Sequence, residues 1–167
     1  SLFFSMKNGV AIYGGFPNTG NPTFADRNWA ANVTTLSGDI GTVGDNNDNS
    51  YRVVRNSSLD NSAVLDGFTV TGAKGIANVG FGSGILNVNA SPSIINCKFI
   101  NNTAFDGGGI YNYGNCTPII YNCLFSGNSA TNTGGGILNF NASPSIINCK
   151  IINNTTLDGG GIYNYGN

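Results

Sequence analysis

Histidine, glutamate and glutamine are all absent from this chain of 167 residues, and every acidic residue is an aspartate. Without histidine it lacks the commonest general base and the commonest metal ligand. Charged residues make up only 9 %, the formal net charge is −1, and the basic residues form no run. Phosphate binding needs clustered cations, so nucleic acid is not an expected partner. No apolar stretch approaches the ~20 residues that a membrane-spanning helix needs. The opening SLFFSMKNGV has too short an apolar part, and no charged start, to read as a signal peptide. The chain is expected to be a fragment that continues at both ends, with its targeting segments outside it. Strong helix formers are scarce, with a single Met, whereas Gly reaches 25 and Asn, Ser and Thr are abundant. That balance favours strands and turns over helices.

What is present is repetition. Residues 84–115 (GILNVNASPSIINCKFINNTAFDGGGIYNYGN) and 136–167 align without a gap at an offset of 52, and differ only at 88/140, 99/151, 104/156 and 105/157. The unit is itself two coils, because Cys97, Cys123 and Cys149 recur every 26 residues, as do Pro92, Pro118 and Pro144. The Gly clusters before Ile85, Ile110, Ile137 and Ile162 recur at 25, 27 and 25. Leucine-rich repeats need several Leu per unit, and helical repeats need a 3.6-residue period; neither is found. Short β-branched runs separated by Gly, Asn, Ser and Pro fit three brief strands per coil. The expected fold is all-β, a right-handed parallel β-helix over 1–167. Residues 1–74 read as irregular coils with loop insertions at 17–32 and 41–50, and 75–167 as regular coils.

Successive coils of such a solenoid lie ~4.8 Å apart, so equivalent residues stack as ladders. Ile94, Ile120 and Ile146 are expected to form one inward ladder. Cys97, Cys123 and Cys149 form a second, and Phe99, Phe125 and Ile151 a third two residues later, matching in–out–in along a strand. Stacked thiols present parallel Cβ vectors, which suit buried free cysteines better than disulfides. Two Asn ladders, Asn96/Asn122/Asn148 and Asn102/Asn128/Asn154, are expected at tight corners, bonding backbone groups and one another. The Gly runs 107–109, 134–136 and 159–161 mark a second bend, where φ is positive or no side chain fits.

Phe99–Asn102 (FINN) and Phe125–Asn128 (FSGN), each followed by GGGI, resemble the FxxN and GGAI signatures of chlamydial polymorphic outer-membrane-protein repeats. The third copy departs from that pattern, with Ile151 before Asn154. More broadly the chain is similar to repeat proteins of the pectin-lyase-like class, and IYGGF, NVTTLSGDIG, DNSYRVV and LDGFTVTG are similar to stretches that precede such repeats in large secreted bacterial proteins. The resemblance implies an extracellular or outer-membrane setting. Family members include adhesins, surface stalks and passenger domains, whereas relatives of the same fold include pectate lyases and polygalacturonases. Fold alone does not choose between them.

Candidate sites are few. The insertion 17–32 brings Asp26, Arg27 and Trp29, with Asp39 beyond it, a combination suited to a sugar; the alternative is a loop that lays its Trp on the outer wall or covers the coil end. In the loop 45–50, Asp45, Asn47 and Asn49 offer alternating oxygens that suit the start of a Ca²⁺ site, with Asp48 nearby. The EF-hand pattern fails there at Ser50 and Asn56, and a plain polar loop is the other reading. Asp106 and Asp158 occupy equivalent positions ~10 Å apart, with Thr133 between them, and are expected to cap the turn before each Gly run. Lys98 and Lys150, separated by Leu124, are expected to face solvent. No catalytic set emerges, so the expected function is a non-catalytic structural or adhesive module presenting an Asn/Ser/Thr-rich wall to glycans or proteins. The alternative is a fragment of a polysaccharide lyase or glycoside hydrolase.

Overall fold

The β-branched runs become strands of three to five residues, and each coil lays one of them on each of three walls. The computed structural model describes residues 3–75 and 80–166. They form an all-β parallel solenoid with coils of ~26 residues. Helix is confined, among the described residues, to one 3₁₀ turn, Phe24–Asp26. Sheet I stacks Val54–Ser57, Ile85–Val88, Ile110–Tyr113, Ile137–Phe140 and Ile162–Tyr165. Sheet II stacks Ala11–Tyr13, Val64–Asp66, Ser93–Ile95, Ile119–Tyr121 and Ser145–Ile147. Sheet III stacks Thr34–Ser37, Phe68–Thr71, Lys98–Ile100, Leu124–Ser126 and Lys150–Ile152. Between sheets III and I, Thr103–Asp106 and Ser129–Thr133 pair as a short fourth wall.

The registers set the ladders. Ile12, Leu65, Ile94, Ile120 and Ile146 follow one another up sheet II. Ile94 and Ile120 are fully buried, and Ile146 packs on the same core from the last coil. Each such burial contributes about 1.5–3 kcal/mol. On sheet III, Val70, Phe99, Phe125 and Ile151 are in register. The Phe99 and Phe125 rings stack at 4.8 Å with planes 7° apart. Cys97 and Cys123 are buried, Cys149 half-buried, and all three thiols are free. Each thiol donates to carbonyl oxygens, as Cys97 does to Ile95 at 3.2 Å and Cys123 to Tyr121 at 3.3 Å. Cys116 is buried at the position that Ala90 fills one coil earlier.

The Gly runs work by both expected mechanisms. Gly107, Gly134 and Gly159 hold φ of 66°, 65° and 68°. At Gly108 and Gly109 the reason is room: a Cβ would lie 2.5 Å from the Gly135 carbonyl oxygen and 2.4 Å from that of Gly136. The insertion 17–32 leaves between sheets II and III of the first coil, and 41–50 between sheets III and I. Residues 76–79, placed in the regular region by the repeat spacing, lie outside the described residues, as do both chain ends.

Candidate functional site

The insertion 17–32 is stapled to the corner between sheets II and III. Arg27 Nε donates to the Gly14 carbonyl at 2.5 Å, and its Nη2 pairs with Asp66 Oδ1. The guanidinium also lies 5.3 Å over the Tyr13 ring. Asn28 N–H donates to the Gly15 carbonyl at 2.7 Å. Gly15 and Gly67 let the insertion approach, since a Cβ on either would come within 2.9 Å of Trp29. Asp26 does not join Arg27. Its Oδ2 accepts from the Thr23 N–H and hydroxyl, both at 2.8 Å, and these bonds lower its pKa, the backbone one most. Trp29 lines a groove of about 310 Å³ along the outer wall, to which neither Asp26 nor Arg27 contributes. Lys98, Leu124 and Lys150 of sheet III line that groove, together with Asn122, Asn148, Cys97 and Cys123 at the corner before it. Trp29 therefore lies against the wall, while Arg27 and Asp26 serve to hold the loop.

Asp39 closes the second insertion, accepting from the Gly44 N–H at 3.1 Å. Asp45 Oδ1 accepts from Asn47 N–H at 2.9 Å. Asn49 turns inward and donates to the Gly72 carbonyl at 2.8 Å. Its own Oδ1 is buried without a hydrogen-bond partner. Among the described residues no three Cys or Asp side chains are grouped to hold a metal ion.

Asp106 departs from expectation. Instead of capping its own Gly run, its Oδ1 accepts from Asn132 Nδ2, Thr133 N–H and Thr133 Oγ1 in the next coil, at 2.9, 3.0 and 2.6 Å. The reason is the register, which places Thr133 beside Asp106. A carboxylate in a stacked wall meets the backbone of the coil above before it meets its own turn.

The Asn rows use the wall's remaining polar groups. Asn96, Asn122 and Asn148 hold φ of 52°, 54° and 52°. Their carboxamides bond in sequence: Asn148 donates to Asn122 at 3.0 Å, Asn122 to Asn96 at 2.6 Å, and Asn96 to Asp66 at 2.9 Å. The row thus ends on the carboxylate that holds Arg27. In the second row, Asn102, Asn128 and Asn154 donate to the carbonyls of Val70, Phe99 and Phe125 at 3.0, 2.8 and 3.0 Å.

Two features escaped the sequence reading. One is a third Asn row inside sheet I. Asn56, Asn87, Asn112, Asn139 and Asn164 donate each to the next at 2.8–2.9 Å, and Asn56 Oδ1 accepts the Met6 N–H at 3.2 Å. Its signal was the Ile-x-Asn pattern, which puts Asn on the same inward face as the buried Ile. The other is an outward file on sheet I, in which Val88, Tyr113, Phe140 and Tyr165 are in register. Beside it, Leu86, Tyr111 and Leu138 form a small second apolar cluster, against which Phe81, Val88, Phe140 and Tyr163 pack. Compared with known proteins, the chain matches no family model, no curated protein and no solved structure.

Proposed function

We propose that the chain is a non-catalytic structural and adhesive module of a secreted or cell-surface protein. In this reading it is a right-handed β-helix akin to polymorphic outer-membrane-protein repeats of the pectin-lyase-like class. One observation carries the proposal: the Asn rows and the wall carboxylates Asp66 and Asp106 are spent on side chains and backbone of neighbouring coils and of the insertion. Asn rows bond coil to coil, Asp66 is held between Arg27 and Asn96, and Asp106 is held by Asn132 and Thr133. Groups locked in this way stiffen a rod, whereas catalysis needs side chains directed at a substrate. Contact is then made by the side chains that the coils turn outward, including the wall groove beside Trp29.

The test is retention of the chain by glycan arrays and by cell surfaces, run beside incubation with pectins and other uronates with and without Ca²⁺. Binding without product release is the expected result. Product release that Asp26→Ala or Arg27→Ala abolishes would overturn it in favour of a lyase or hydrolase.

A further inference from the structure

The outward file of sheet I is regular except at one step. Tyr113, Phe140 and Tyr165 stack with centroids 5.5 and 4.9 Å apart and planes 27° and 26° from parallel. One coil before Tyr113 the position is Val88, although the second copy of the 52-residue unit carries Phe140 there. The file therefore stops at Tyr113 on that side. The space left is a cavity of about 340 Å³, walled by Tyr113, Tyr111, Phe81, Leu86 and Val88. Phe81 and Tyr113 lie 6.1 and 6.0 Å from the Tyr111 ring.

We propose that this notch binds one ring of a neutral glycan, a reading that rests on the adhesive function above and assigns it a place. The size is that of small-ligand pockets, roughly 300–1,000 Å³. Ring faces carry negative quadrupole density, which attracts the weakly positive C–H face of a pyranose. Among the described residues no Lys or Arg side chain walls the cavity, and the neighbouring guanidiniums are engaged elsewhere: Arg52 Nε donates to the Phe81 carbonyl at 2.8 Å, and Arg55, beside Leu86, lies 5.8 Å over the Phe3 ring. The walls themselves thus do little to offset the desolvation of a carboxylate or sulfate. The Tyr111 phenol supplies a donor that stays protonated. Burial first, then the Asp106 carboxylate and Tyr113, push its pKa up to about 12. An uncharged ring with hydroxyls at its rim and C–H bonds on its face fits these walls better than an acidic sugar or a basic peptide.

Isothermal titration calorimetry of the chain with short oligomers of glucose, mannose, galactose and N-acetylglucosamine, beside oligogalacturonate, tests this. Val88→Phe is the decisive variant, because it extends the ring file into the notch with a residue that the repeat already accepts at Phe140. A neutral oligomer should bind. Val88→Phe and Tyr113→Ala should weaken it by at least about tenfold, equivalent to about 1.4 kcal/mol. Tyr121→Ala, an exposed ring on sheet II, should leave it unchanged, and circular dichroism should show Val88→Phe folded. Binding confined to oligogalacturonate, or neutral binding unmoved by Val88→Phe, overturns the site while leaving the adhesive reading standing. So does self-association that Val88→Phe abolishes. Failure of the chain to be retained by any glycan or cell surface overturns the adhesive reading itself.

Discussion

Asn112 has both ends of its carboxamide engaged inside the sheet I wall, accepting from Asn87 and donating to Asn139, each at 2.8 Å. Replacing it with Ala leaves a buried donor and a buried acceptor unpaired. The expected loss is about 2–4 kcal/mol, read from urea denaturation. Asn148 stands on an exposed corner where water replaces the lost bond, so Asn148→Ala should cost less than about 1 kcal/mol in the same assay. Tyr111 sets a pH dependence. Its folded pKa is raised from 10.0 to about 12, so the contribution of its phenol is intact below pH 10 and is lost as pH rises through about 12. Tyr111→Phe should therefore lose less stability than the parent chain across that window in alkaline denaturation. The Cys, Phe and Asn102 ladders were legible in the sequence because one coil equals one repeat period, so vertical neighbours can be read off by counting. The sheet I Asn row was not, because carboxamides facing a core look unfavourable until their bonding to the coils above and below is known.

Among the elements, the turns constrain sequence most tightly. Gly108→Ala would put a Cβ 2.5 Å from the Gly135 carbonyl oxygen and 2.6 Å from that of Ser129, both backbone atoms that cannot rotate away. A loss of about 3 kcal/mol is expected. Gly44→Ala, in the second insertion, meets no atom within 4 Å and strains only its φ of 83°. About 1–2 kcal/mol is expected there. Thermal denaturation of the pair separates crowding from dihedral strain. Both insertions were legible as interruptions of the repeat, but their anchors were not. The Arg27–Asp66 pair spans 39 residues, a separation set by insertion length and not by the period. The same limit hid the groove, because Trp29 meets Lys98 and Asn122 only once the loop has folded back over the corner. The aromatic file was hidden differently. Its recurrence at 25, 27 and 25 follows the Gly clusters, but its position points outward, where rings are not expected.

At the scale of the whole molecule, each coil buries its neighbours and stability accumulates by adjacent contacts. A second copy of residues 84–135 placed after residue 135 should therefore fold, and should lengthen the particle by roughly 10 Å, two coils at ~4.8 Å each. Small-angle X-ray scattering measures that, and an unchanged or expanded, disordered profile would contradict it. The Asn rows add a further constraint, because they have a sense. Asp66 can only accept, so it forces Asn96, Asn122 and Asn148 to point their NH₂ groups toward the first coil. The Met6 N–H can only donate, so the sheet I row runs the other way and leaves the NH₂ of Asn164 facing onward. Each row is thus polar, and the two run in opposite senses along the rod. A coil laid on the Asn164 edge must bring an oxygen over Asn164 and a donor over Asn148. Two such edges brought face to face with each row against its own copy would set like against like, whereas head-to-tail stacking gives every terminal donor an acceptor and every terminal acceptor a donor.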